Sequence, residues 1–199
     1  MKEFIDNNTG LRWIIFDYKT DPHNHNSTKL KELRKQLNSW KSPEIEEFIC
    51  GEYPLGDMLN IVGVQNNNVF FNNSTYQAFA FDKDKLVGTA ILTTDKHKYV
   101  FYDKEISDRL KINFIVVNPN YTSRGIGTRM ISSINNNQRE FCHSVKTKGT
   151  VAWVSPHNPA SQKAFLKNKF KRFKKMDSKE RYVFYSTNRN NRKNTEIEP

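Results

Sequence analysis

A mixed β-sheet with helices packed on it, an α/β (α+β) fold, is predicted by three observations. Tyr76–Phe81 and Leu86–Leu92 are period-two apolar runs joined by the polar turn Asp82-Lys83-Asp84-Lys85, which is a hairpin signal. From there to Tyr185 the pattern runs strand, helix, strand, helix, strand, and helices returning to one sheet give a mixed architecture. Only 36% of the 199 residues are apolar, but 13% are aromatic, 14 Phe among them, and large rings supply a core. This length suits one domain, expected over 1–187, followed by a disordered basic and polar tail, 188–199.

In chain order, Leu11–Phe16 has strand character and gives way to the polar loop Asp21–Asn26. Leu30, Leu33, Leu37 and Trp40 recur at helical spacing. Ser42-Pro43-Glu44 combines a cap, a first-position proline and a first-turn acid, so a second helix starts there. It carries Ile45, Phe48 and Ile49 inward and ends near Gly51; Tyr53–Asn73 is read as irregular connection. After the hairpin, Ile112–Val117 is nearly apolar on both faces, as a central strand is. A helix over Gly125–Cys142 follows, with Ile126, Met130, Ile134 and Phe141 on one side. Thr150–Ser155 is a further buried strand, Asn158-Pro159 opens a helix to about Asn168 with Ala164 and Phe165 inward, and Tyr182–Tyr185 is the last strand.

The formal net charge is +11, and its location matters more than its size. Eleven bases lie between Lys167 and Lys193 against only Asp177 and Glu180. This run reads either as solvated surface or as a nucleic-acid contact, and the former is favoured. An opposite island holds Glu44, Glu46, Glu47, Glu52 and Asp57. No apolar stretch reaches the roughly 20 residues of a membrane span, and Met1–Asp6 lacks the features of a leader. Cys50 and Cys142 are far apart and read as free thiols, and His23 and His25 lack a third ligand nearby, so no metal is expected. A cytoplasmic protein, monomer or homodimer and free of membrane contacts, is the expectation.

The segment that carries chemistry is Val116-Val117-Asn118-Pro119-Asn120-Tyr121-Thr122-Ser123-Arg124-Gly125-Ile126-Gly127-Thr128. A buried strand stops at proline, and a helix begins on two glycines. The first turn of a helix leaves amide N–H groups without partners and carries a partial positive charge, which suits a phosphate. Glycines let the anion approach the backbone, and Arg124 adds a full charge. The competing explanation of the glycines is close helix–sheet packing.

This loop resembles the pyrophosphate-binding motif of the GCN5-related N-acetyltransferases, Arg/Gln-x-x-Gly-x-Gly/Ala after a strand and a proline. About thirty residues later, Asn158-Pro159-Ala160-Ser161-Gln162-Lys163-Ala164-Phe165-Leu166-Lys167-Asn168-Lys169-Phe170 is similar to the family's second motif, Asn-x-x-Ala-x-x-Leu-Tyr-x-x-x-Gly-Phe. The resemblance covers about Tyr76 to Tyr185. It implies a mostly antiparallel sheet, flanked by helices, whose two central strands splay into a V. It implies acetyl-CoA as co-substrate, without a metal, and direct transfer of acetyl to a primary amine in a ternary complex. The cofactor-binding residues it implies are Val116, Val117, Thr122, Ser123, Arg124, Gly125, Ile126, Gly127, Thr128, Asn158, Ser161 and Phe165, with the Val117 amide as oxyanion donor. On the acceptor side it implies the two N-terminal helices, which would place Glu44 and Glu47 to attract a cationic amine.

Departures from the family pattern fall on mechanism. Thr122 stands where Arg or Gln is usual, Lys169 where Gly is frequent, and Phe165 where a Tyr often serves as acid to the leaving thiolate. Tyr121 is the remaining phenol near the loop. Lys111-Ile112-Asn113 offers no carboxylate where some relatives carry their base; Glu105 and Asp108 are the nearest acids before it. Two further readings therefore stay open: a nucleic-acid-associated module with a vestigial acyl-CoA site, and an acetyltransferase acting on an RNA-linked amine such as aminoacyl-tRNA.

Overall fold

The computed structural model describes residues 1–18, 27–40, 49–50, 53–54, 75–95, 99–101, 104–106, 108–142, 147–173 and 181–186. The elements begin with β1 (Lys2–Asp6), β2 (Leu11–Asp17), α1 (Thr28–Asn38), β3 (Ile49–Cys50) and β4 (Tyr53–Pro54). Then come β5 (Thr75–Asp82), β6 (Lys85–Asp95), β7 (Tyr99–Phe101), β8 (Lys104–Ile106) and β9 (Arg109–Val117). After a 3₁₀ turn at Pro119–Tyr121 follow α2 (Ile126–Asn136), α3 (Gln138–Phe141), β10 (Thr150–Val154), α4 (Pro159–Lys167), β11 (Lys171–Arg172) and β12 (Tyr182–Tyr185).

Eight strands form one sheet in the order β1-β2-β5-β6-β9-β10-β12-β11. Every neighbouring pair is antiparallel except β9 and β10, which are parallel because α2 and α3 carry the chain back between them. The mixed sheet with helices packed on it is as the sequence pattern predicts, and its mostly antiparallel pairing and fork are as the family resemblance implies.

Alternation along β2 shows how the sheet is covered. Leu11, Trp13 and Ile15 enter one apolar cluster, and Ile14 and Phe16 enter the other. The first cluster receives Ile126, Met130, Ile131 and Ile134 of α2, Phe141 of α3 and Phe165 of α4. The second receives Leu30, Leu33 and Leu37 of α1, with Trp40 just past its end. Two buried polar side chains find partners across elements. The Trp13 indole N–H donates to Ser133 Oγ at 2.8 Å, pinning α2 to the sheet. Buried Arg34 donates to Tyr18 Oη and to Gln77 Oε1, both at 3.2 Å.

Three expectations need correction. The helix expected from Ser42 to near Gly51 is corrected at its end, because Ile49–Cys50 pairs antiparallel with Tyr53–Pro54; β-branched Ile49 suits an extended strand. Those four residues also correct the irregular reading at Tyr53. Residues 41–48, with Glu44 and Glu47, lie outside the described residues, as do 55–74 and 187–199. The helix over Gly125–Cys142 is two helices that meet at Asn137, whose φ of −116° is not helical. Its side-chain amide donates to Ser133 O at 3.0 Å, competing for a carbonyl that the α-helical ladder uses.

Unforeseen are β1, the β7–β8 pair and the edge strand β11. The β1–β2 turn is built by Asp6, whose carboxylate accepts from the Asn8 N–H at 3.1 Å and the Thr9 hydroxyl at 2.7 Å.

Candidate functional site

The parallel strands β9 and β10 hold together over only three pairs, ending at Ile112↔Ala152. Beyond this point β9 stays with β6, and β10 stays with β12, so the sheet forks. The next residue of β9 departs from the regular ladder. Ile91 faces Phe114 but Leu92 faces Ile112, so Asn113 is an extra residue in β9, a bulge. Bulges bend and twist the strand that contains them. The side-chain amide of Asn113 donates to Thr93 Oγ1 at 3.0 Å and anchors the bulge to β6.

The bulge also reverses which backbone groups face the fork. Leu110 N–H donates to Gly149 O at 3.0 Å, so before the bulge the even-numbered amides face β10. After it, Asn118 N–H donates to Val87 O at 2.9 Å, on the β6 side. Amides alternate along a strand; the N–H of Val117 therefore faces the edge that β10 has left. Without the extra residue it would face β6.

The chain then turns into α2. Asn118 organises the turn: its Oδ1 accepts from Asn120 N–H at 3.0 Å. The Thr122 hydroxyl donates back to Pro119 O at 2.9 Å. Thr122, Ser123, Arg124 and Gly125 are all exposed, and the Arg124 guanidinium lies 5.2 Å from the ring centroid of half-buried Tyr121. Ser123 and Gly125 have φ of 63° and 75°, which turns the chain sharply onto the helix. Gly125 is the N-cap and offers no side chain to the first turn, so among the described residues the N–H groups of Ile126, Gly127 and Thr128 have no side-chain acceptor. A Cβ at Gly127 would meet only Val117 Cγ2, at 3.6 Å, an ordinary contact. Helix–sheet packing therefore does not explain that glycine.

The second motif lies beside the first. Asn158 is the N-cap of α4, its Oδ1 accepting from Ser161 N–H at 3.0 Å. Phe165 is buried, stacked on Phe184 at 5.5 Å and edge-on to Phe170 at 5.0 Å. The Asn168 side chain at the end of α4 donates to Thr128 O in the first turn of α2 at 3.0 Å.

Sequence reasoning assembled the loop residues Val116–Thr128 and set Asn158, Ser161 and Phe165 on the following helix. It missed Asn113, for which a polar residue inside an apolar strand was the visible signal, and the bridging role of Asn168. On the sheet face of Lys111, the Lys111 ammonium lies 4.4 Å from the Trp153 ring centroid. Asp108 is paired with Lys148 at 3.1 Å, and the side chain of Glu105 is not among those described. Among the described residues no three His, Cys, Asp or Glu converge as a metal site, and no helix is long and apolar enough to cross a membrane.

A profile of the Acetyltransferase (GNAT) family matches residues 35–170. The chain belongs to this family. Its fold is similar to AAC(6')-Ib, solved in complex with Ribostamycin and Coenzyme A (TM-score 0.58, 15% identity, 95% of this chain and 99% of that one). It is also similar to the GNAT domain of S. lividans PAT (0.57, 10%, 94% and 96%). A third likeness is to the paia n-acetyltransferase from Thermoplasma acidophilum in complex with coenzyme A (0.51, 15%, 88% and 99%). No curated protein sequence matches the chain.

Proposed function

We propose that this protein transfers the acetyl group of acetyl-CoA to a primary amine by direct attack within a ternary complex. The observation that carries the reading is a coincidence in space: the strand fork, the Val117 N–H that faces it, and a glycine helix start whose Gly127 lies against Val117. The complexes of AAC(6')-Ib and of the Thermoplasma acidophilum enzyme with coenzyme A support it.

Acetyl-CoA supplies a thioester whose C–S bond breaks as the amine nitrogen bonds to the carbonyl carbon. The amine loses a proton and the departing thiolate gains one. Within the chain, the Val117 N–H is aimed to donate to the acetyl oxygen as negative charge grows there. The N–H groups of Ile126, Gly127 and Thr128, with Arg124, meet the diphosphate, and Val116, Thr122 and Ser123 border its path. Asn158 has its carbonyl oxygen engaged with Ser161, so its N–H₂ group is the part that faces the pantetheine arm. Phe165 backs this wall from the core and donates no proton; Tyr121 is the candidate acid for the thiolate.

The test is thiol release from acetyl-CoA with a panel of amines (polyamine, lysine peptide, aminoglycoside, aminoacyl-RNA), with product mass measured. Release of thiol matched by an N-acetylated amine supports the reading. Purified protein that neither binds acetyl-CoA nor releases thiol with any amine overturns it.

A further inference from the structure

We propose that the outward face of α4, with the turn into edge strand β11, is a docking surface for a nucleic-acid backbone. Residues 155–173 contain no Asp or Glu, and the five cations of this stretch, Lys163, Lys167, Lys169, Lys171 and Arg172, are all exposed. None of the five forms an ion pair with a described residue. Bases elsewhere do: Lys2 with Glu140, Arg12 with Glu3, Arg129 with Asp82 and Lys148 with Asp108. The charge is thus gathered on a stretch that contains no acid of its own, the next ones in the sequence being Asp177 and Glu180.

The fold turns most of this charge one way. Lys163 and Lys167 are four residues apart and opposite the buried Phe165, so they project together from the helix. Lys169 follows in a left-handed turn, φ 61°, held down by buried Phe170 against Phe165. Arg172 lies on the same side of the sheet as α4: its guanidinium is 4.5 Å from the centroid of Tyr182, a ring that packs against the Phe165 cluster. Leu166, 52% exposed, adds one of the few large apolar side chains left in solvent among the described residues. A row of cations that form no ion pair with a described residue, with a half-buried ring and an apolar contact, fits a phosphodiester chain better than a single small anion. The Asn168–Thr128 hydrogen bond sets this surface directly beside the glycine helix start.

The proposal does not depend on acetyl transfer, and the experiment keeps the two apart. Binding of a labelled RNA hairpin of about 20 nucleotides is followed by anisotropy from about 50 to about 200 mM salt. The full chain is compared with the variant Lys163→Gln, Lys167→Gln, Lys169→Asn, and acetyl-CoA affinity is measured on both. The expected result is a log–log salt slope smaller by about two to three and affinity weakened at least about tenfold, with acetyl-CoA affinity unchanged. The Arg-substituted variant at the same three positions should bind as the parent does, which separates lost charge from lost fold. The proposal is overturned if the parent does not bind the hairpin, if the neutral variant keeps the parental slope, or if that variant loses acetyl-CoA affinity instead.

Discussion

The side-chain amide of Asn113 donates to the hydroxyl of Thr93 at 3.0 Å, holding the one extra residue of β9 against β6. That residue changes which amides face the fork, so a neutral hydrogen bond away from the glycine loop sets the direction of the Val117 N–H. Asn113→Ala should cost about 1 kcal/mol of stability, a typical net hydrogen bond, and lower kcat more than it raises KM for acetyl-CoA. Thr93→Val should do the same, and the double variant should lose little more than either single one. Strictly additive losses in kcat would show that the pair does not act as a unit.

Asn168 ties two helices together at the loop. Its side-chain N–H₂ donates to Thr128 O at 3.0 Å and to Ala164 O at 2.9 Å. Asn168→Ala removes both donors from part-buried carbonyls and should cost about 1–2 kcal/mol by denaturant unfolding. Because Thr128 belongs to the first turn of α2, the affinity for acetyl-CoA should fall several-fold in parallel. A variant destabilised as expected but binding acetyl-CoA like the parent would limit Asn168 to structure.

Gly88 lies opposite Val117, and Met130 of α2 closes over it: a Cβ there would meet Met130 Cε at 2.8 Å and Val116 O at 3.0 Å. Gly88→Ala should therefore overpack the interface by about 1–3 kcal/mol. Since the first obstacle is the end of a flexible side chain, the same substitution in a Met130→Ala background should cost clearly less. Equal cost in both backgrounds would place the strain in the backbone at Val116.

Alkaline stability follows from two buried protonated groups. Burial pushes the Tyr18 phenol up to about 12 and the Cys142 thiol up to about 11. Both pKa values are higher folded than unfolded, so their contribution is complete below the unfolded values and is lost as pH rises through the folded ones. Melting temperature should decline from about pH 9, through the Cys142 window first and the Tyr18 window after it. Cys142→Ala should flatten the lower part of that decline and leave the upper part. A decline unchanged in this variant would show that the thiol does not report on folding.

The glycine loop was legible in the sequence because its signals are contiguous: a strand, a proline, two glycines and a polar helix start within Val116–Thr128. The helix α1 was legible because Leu30, Leu33, Leu37 and Trp40 keep one period. The fork was expected only through the family resemblance, since it arises from register between strands forty residues apart, Ile112 with Ala152, and register leaves no local mark. The bulge at Asn113 is one polar residue in an apolar run, which a face-by-face reading absorbs as an exposed position. At Asn135-Asn136-Asn137 the polar cluster was visible, but its consequence depends on one side chain reaching Ser133 O. Two-residue strands such as β3 and β11 are too short to carry periodicity at all.

The central claim is that the uncapped first turn of α2 receives the diphosphate of acetyl-CoA, and calorimetric titration of acetyl-CoA into the parent and into Gly127→Glu tests it most directly. A Cβ at Gly127 makes only an ordinary contact with Val117, so the variant should fold. Its carboxylate would stand against two phosphate charges, and affinity should fall by at least about tenfold, or about 1.4 kcal/mol. Binding of unchanged affinity in the folded variant would contradict the account.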